Sequence, residues 1–276
     1  MRAVRMASRV DAVSPVRSAR LVHVKNSVRL TPNMHRVTLH GEALANFPAC
    51  HEGAHVKIML PAPAQSEGDF ARQIAEGPKR PITRTYTIRH HRPDVNELDI
   101  DFALHPDGRA CRWAVTAAAG DFIAIAGPSA KKMTDFSASW FLLTADMTAI
   151  PAAAAVLEDM PDSAVGHAVF EIASDEDRQP VNAPPGIDIE WVVGNGCAVP
   201  CTCQVDAVRD LSWRDGAPGV FIAGESGAMK AVRQFLCEER GIDRRCMYAS
   251  AYWKIGMRED QHRKLKALEA TQQPKG

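Results

Sequence analysis

The chain of 276 residues has no run of about eighteen apolar residues, which argues against a membrane-spanning helix. It also has no charge excess. Lys+Arg and Asp+Glu both number 33, so no global field points to nucleic acid or to a membrane surface. The arginine-rich start, MRAVRMASRVDAVSPVRSARL, lacks the apolar stretch of a secretory signal. Seven cysteines is an odd number in a chain large enough to do without disulfides, so a reduced, cytoplasmic setting is expected. Internal repeats and low-complexity tracts are missing too. What is there is a globular composition, 46% hydrophobic and 24% charged, long enough for one large domain or two ordinary ones. The expectation is a monomer with no nucleic-acid or membrane partner. The charge is uneven locally: from Lys230 to Lys266 there are ten Lys/Arg against five Asp/Glu. Such a region suits an acidic small ligand, and equally a solvated helix face.

Two rhythms divide the chain. Up to about Pro128 the period is two: RLVHVKNSVRL, HRVTLHG, HVKIML, TYTIR, LDIDFAL and DFIAIAG read as short strands separated by turn residues. In LDIDFAL, Leu98, Ile100, Phe102 and Leu104 fall on one face and Asp99 and Asp101 on the other. This predicts an antiparallel barrel or sandwich, with Pro61 to Pro81 as a long surface loop over its mouth. After about Ser137, apolar strands (SWFLLT, HAVFEIA, IDIEWVV, GVFIAG) alternate with helices. TAIPAAAAVLEDM has Pro151 near its first turn, where proline is tolerated. Ser226 to Arg240 carries an apolar stripe of Met229, Val232 and Phe235 or Leu236, a cap at Ser226 and a stop at Gly241. Alternation of this kind predicts a doubly wound parallel sheet. The boundary is placed near GPSAKKMTDF, giving domains over about 15–130 and 138–262.

Within the first half, RTYTIRHH sets Arg84, Tyr86 and Thr87 on one strand. Alone, the pattern is as consistent with a half-exposed strand as with a wall for a flat anionic ligand. Arg84 offers a planar fork for a phosphate. Downstream, DFALHPDGRACRWAV runs from a strand ending at His105 through Gly108 into a short helix holding Ala110, Cys111 and Trp113. Small residues there let backbone N–H groups approach a pyrophosphate. With these blocks in order, followed by GDFIAIAGP, TADMTAIPAAAAVLEDMP, IAGES and AYWKIGMRED, the chain resembles the siderophore-interacting protein family over residues 17 to 262. It departs from that pattern at Cys111, where Ser or Thr is usual, and at Ala145, Met147 and Ala251.

The resemblance implies a ferredoxin–NADP reductase-like pair of domains, a barrel holding FAD and an α/β domain presenting NADPH or NADH. It implies an enzyme reducing a ferric siderophore in the cytoplasm. The alternatives are a flavin reductase with another acceptor, or a siderophore binder without redox function. It assigns Arg84 to a flavin phosphate, Tyr86 to stacking on the ring and Thr87 to the ring's N5 region. His105, Gly108, Ala110 and Cys111 form the pyrophosphate turn, His105 being equally readable as a strand-end residue and Trp113 as packing. Thr148, after the first α/β strand, is a ligand contact or a helix cap, and Glu225 lines the cleft. Ser174 and Asp175 would meet the nucleotide ribose, with Arg178 the nearest cation for a 2′-phosphate. The acidic run 175–177 could favour NADH instead. Lys254, Arg258, Arg245 and Trp253 make a basic, siderophore-facing edge. No side chain acts as acid or base. Cys197, Cys201 and Cys203 cluster without the spacing of a standard metal framework, so no metal is expected.

Overall fold

The computed structural model describes residues 19–76, 81–106, 108–194, 202–257 and 261. Six strands close into a barrel: β1 (Arg20–Thr31), β2 (Met34–His40), β3 (His55–Leu60), β4 (Ile82–Arg92), β5 (Glu97–Ala103) and β6 (Phe122–Ala126), in the order β1-β2-β5-β4-β3-β6. Every pairing is antiparallel. The alternation sends Val22, Val24, Val37, Leu39, Val56, Ile58, Leu98, Ile100, Phe102, Ile123 and Ile125 into one core. Full closure leaves the barrel without free edges.

One expectation for this half is corrected by the structure. The segment after Pro61 is not all loop: it holds α1 (Glu67–Glu76), begun by Ser66, whose hydroxyl accepts from the Asp69 amide at 3.2 Å. Phe70 is fully buried there against Phe122, 5.7 Å between ring centroids. The signal was legible as a Ser-x-x-Asp capping pattern before an aromatic. The polar face of β5 is buried as well. Asp99 and Asp101 are each 4% exposed, covered by arginines, and Leu104 lies just past the strand.

The second half is a five-stranded parallel sheet of β7 (Trp140–Asp146), β8 (Val165–Ile172), β9 (Gly186–Val193), β10 (Pro218–Glu225) and β11 (Met247–Trp253). Its order is β11-β10-β7-β8-β9. Helices α3 (Ile150–Asp159), α4 (Cys203–Asp210) and α5 (Ser226–Glu238) connect its strands, while α2 (Arg109–Thr116) belongs to the barrel. β11 was not anticipated, and α4 is one of the helices expected between strands. β11 is short and mixed, MYASAYW, and gains its place only by pairing with β10. The cap of α5 is Glu225, whose carboxylate accepts from the Gly227 and Ala228 amides; Ser226 is the first helical residue. Because the chain winds from β7 out to β9 and then crosses back to β10, the strand order reverses between β7 and β10. Ligands of such sheets bind at that point, outside the carboxyl ends. No described helix is long and apolar enough to cross a membrane.

Candidate functional site

The carboxyl ends of β7 and β10 are joined by one buried side chain, Asp146. Its Oδ2 accepts from the Glu225 amide at 2.7 Å and from Trp253 Nε1 at 2.7 Å. Its Oδ1 accepts from the Thr148 amide at 2.9 Å and hydroxyl at 2.6 Å. Three parallel strands are thereby tied at the point where a ligand is expected. Gly224 is required for this approach: at φ +138 a Cβ would stand 2.6 Å from Asp146. Burial raises the Asp146 carboxyl above its ordinary pKa, opposed by the bonds from Thr148, Trp253 and Glu225. The apolar run WFLLTA ending in an acid was a legible sign of this residue, which the sequence reading passed over.

The barrel meets this edge through β4. Thr87, buried, stands beside the phenol of Tyr252 on β11. Burial, with the neighbouring Tyr248 phenol, holds Tyr252 well above the ordinary tyrosine range. Tyr86 packs on Phe102 with ring centroids 4.3 Å apart, and Phe102 lies 6.0 Å from Trp113, which packs against the barrel core. Arg84, half-buried, sits opposite Ile58 and donates to the Thr83 carbonyl at 2.9 Å.

The turn after β5 is built around Gly108. A Cβ there would lie 2.6 Å from Cys111 Sγ and 2.7 Å from His105 Nε2, so a larger residue would displace those side chains. Gly108 is the N-cap of α2 and no side chain caps that end, which leaves first-turn N–H groups for an anion. Ala110 and Ala114 face the barrel core. Cys111 is buried, donates to the Ala103 carbonyl at 3.3 Å, and has its pKa raised by burial. The thiol therefore points down into the barrel, and backbone groups carry any contact to a ligand.

Other candidate residues are spoken for within the protein. Glu225 caps α5 and also accepts from the Ile255 amide at 3.2 Å, and Thr148 is bound to Asp146. Arg178 pairs with Asp175 at 2.8 Å, both exposed, and Ser174 donates to Asp177 at 3.3 Å. Arg245 pairs with Asp243 at 2.6 Å on the surface. Trp253 spends its N–H on Asp146, while the Lys254 carbonyl accepts from Met257, turning the chain at the end of β11. Arg258, Cys197 and Cys201 lie outside the described residues; Cys203 opens α4. No group of three or more metal-ligating side chains is present among the described residues.

Two family models match the chain, a siderophore-interacting FAD-binding domain over residues 23–132 and a siderophore-interacting protein domain over 138–256. The ferric vibriobactin reductase ViuB of Vibrio cholerae is 34% identical over 265 residues, 92% of this chain and 95% of that protein. The NADPH-dependent ferric-chelate reductase of Escherichia coli K12 is 29% identical, covering 82% of this chain and 89% of the relative. Among solved structures, the siderophore-interacting protein SipS from Aeromonas hydrophila superposes with a TM-score of 0.80 at 33% identity, over 93% of this chain and 100% of its own. A ferredoxin–NADP+ reductase from Plasmodium falciparum shares the fold, at TM-score 0.64 and 12% identity, over 87% of this chain and 98% of that one. A closed barrel, an apposed doubly wound sheet and matches across both halves lead to one assignment: the chain belongs to the siderophore-interacting protein family, with its flavin-binding domain in the barrel.

Proposed function

We propose that this protein is an NAD(P)H-dependent, FAD-containing ferric-siderophore reductase that releases iron as Fe(II), working in the cytoplasm as a monomer. The observation that carries the reading is the meeting of β4 with the switch point, Thr87 lying against Tyr252 beside Asp146. A ligand along β4 therefore has one face on the barrel and one toward the carboxyl edge of the sheet. The residues present fit FAD. The close-packed glycine turn at 108 and the uncapped start of α2 offer N–H groups to a pyrophosphate. Arg84 supplies the phosphate cation, Tyr86 a ring wall braced by Phe102, and Thr87 a hydroxyl at the cleft.

Bound there, FAD would supply the redox chemistry, taking a hydride from NAD(P)H and giving its two electrons singly to two Fe(III) ions with release of one proton. The protein's residues orient and exclude. Asp146 fixes the ends of β7, β10 and β11 as one platform, and Tyr252 closes the seam beside Thr87. Lys254, at the end of β11, supplies positive charge to an anionic ferric chelate. Iron(II) is held less tightly by hard oxygen donors, so reduction releases it. Protein purified with flavin should be yellow, bleach anaerobically with NADPH or NADH, and recover colour when mixed with a ferric siderophore. Bleaching without reoxidation by any ferric chelate would favour a flavin reductase with another acceptor. Colourless protein that still binds the chelate would favour a binder.

A further inference from the structure

The hairpin turn between β1 and β2, at one rim of the barrel, is fastened to the α/β domain by a single carboxylate. Asp177, in the turn after β8, is fully buried. Its Oδ1 accepts from Thr31 Oγ1 at 2.7 Å and from the Asn33 amide at 2.8 Å. Its Oδ2 accepts from Asn33 Nδ2 at 2.9 Å and from Ser174 Oγ at 3.3 Å. The Asn33 carbonyl in turn accepts from the Leu104 amide at 2.8 Å, and Leu104 leads directly into the His105–Gly108 turn. A continuous path of bonds thus joins the carboxyl end of β8 to the turn assigned to the flavin pyrophosphate.

A second tie lies elsewhere on the interface. Arg89 of β4 grips Glu158 with two bonds of 2.8 and 2.6 Å, near the last turn of α3. Helix α3 starts beyond the carboxyl end of β7 and runs back along the sheet, so Glu158 lies toward the opposite edge, whereas Asp177 follows the carboxyl end of β8, the strand next to β7. The contacts on β4, Arg89 with Glu158 and Thr87 with Tyr252, remain when the Asp177 clasp is lost, but the β1–β2 turn is then released from the α/β domain.

We infer that Asp177 is a positioning residue for hydride transfer: it clasps the Thr31–Asn33 turn and so fixes the nicotinamide-presenting edge against the flavin turn. This deepens the proposed function and rests on its reading that NAD(P)H delivers hydride across the crevice. The clasp engages both Asp177 oxygens with the barrel, while Ser174 donates to Asp177 within the same turn.

The test is Asp177→Asn in the flavin-loaded full chain, with Asn33→Ala as a second, milder variant and Glu158→Gln as the remote control. Three quantities are read: FAD affinity and visible spectrum, anaerobic reduction by NAD(P)H, and reoxidation of dithionite-reduced protein by a ferric chelate. Reduction by NAD(P)H should slow at least about tenfold in Asp177→Asn, less in Asn33→Ala and least in Glu158→Gln, each about 1.4 kcal/mol per tenfold. FAD affinity and reoxidation should stay within about twofold. Hydrogen exchange at the Asn33 amide should accelerate in Asp177→Asn, independently of any turnover. Unchanged exchange, an unchanged reduction rate, or equal slowing of both half-reactions would each overturn the inference. Wild-type protein that neither nicotinamide reduces would instead overturn the proposed function.

Discussion

On the flank of the barrel, buried carboxylates are neutralised by arginines. Arg92 binds Asp99 with bonds of 2.8 and 2.7 Å, and Arg36 binds Asp101 with bonds of 2.6 and 2.8 Å. Lys25 and Arg92 share Glu97. At the carboxyl edge of the sheet, Asp146 and Asp177 are buried as well, yet among the described residues they meet only N–H and O–H donors. The consequences differ in sign. Burial alone would raise Asp99, but bonds from Arg92, His90 and Thr38 outweigh it and hold the carboxyl well below its ordinary value. Asp146 has no cation, and burial wins. Asp177, among exposed neighbours, is the intermediate case: burial raises it, and bonds from Asn33, Thr31 and Ser174 bring it below the ordinary value. The barrel thus uses Arg36 and Arg92 on its own wall, whereas the edge of the sheet answers its buried acids with neutral donors.

The contrast is broken most directly at its two centres. Asp146→Ala orphans the Thr148 and Glu225 amides and the Trp253 N–H, and should cost roughly 3–5 kcal/mol of stability by denaturant unfolding. Asp99→Ala should cost only about 1–2 kcal/mol, because Arg92 keeps Glu97 and water. Equal losses would remove the distinction. Next in size, Arg84→Ala should weaken FAD binding about ten- to a hundredfold, the worth of a charge-assisted contact of roughly 1.5–3 kcal/mol, without lowering the stability of the flavin-free protein. The reverse pattern would make Arg84 another wall arginine.

Acid titration sharpens the same comparison. Asp99, with a lowered folded pKa, contributes stability above the ordinary carboxylate value of 3.8 that is lost as pH falls through its folded value. Asp146, raised, acts oppositely: its contribution declines as pH climbs from that ordinary value through the folded one. Asp99→Asn should therefore flatten the acid limb of the stability profile, and an unaltered limb would show that Asp99 does not titrate there. The smallest effect belongs to Lys254→Glu. It should slow reoxidation by an anionic ferric siderophore a few-fold and leave reduction by NAD(P)H unaltered. The defect should fade as salt rises, since exposed charges are screened over about 8–10 Å at 0.10–0.15 M. Equal slowing with a neutral acceptor would give Lys254 a structural role.

Much of the architecture could be read locally. Period-two alternation marked all six barrel strands, and the apolar runs marked four of the five parallel ones, because side-chain burial on a pleated strand repeats every second residue. β11 escaped because MYASAYW carries neither signal, and α1 because its single buried anchor, Phe70, makes no stripe. The candidate site divides along the same line as the carboxylates. On the barrel, Arg84, Tyr86 and Thr87 lie on β4 and Gly108 in the turn before α2, as the motif spacing required. At the edge of the sheet, Thr148, Ser174 and Glu225 were expected from their places beside strand ends, Arg178 as the nearest cation and Trp253 from the resemblance. The fold engages them with Asp146, Asp177, Asp175 or the start of α5.

By itself, then, the sequence determined the two-domain plan, the strand bearing Arg84, Tyr86 and Thr87, and the glycine turn, since each depends on residues near one another in the chain. Only the tertiary structure decided which acids are buried and what answers them. Asp177 finds Thr31 146 residues away, and Asp146 finds Trp253 107 residues away. Those pairings exist only once strands from distant parts of the chain lie side by side, and a carboxylate's charge state follows from the partners and solvent it meets there.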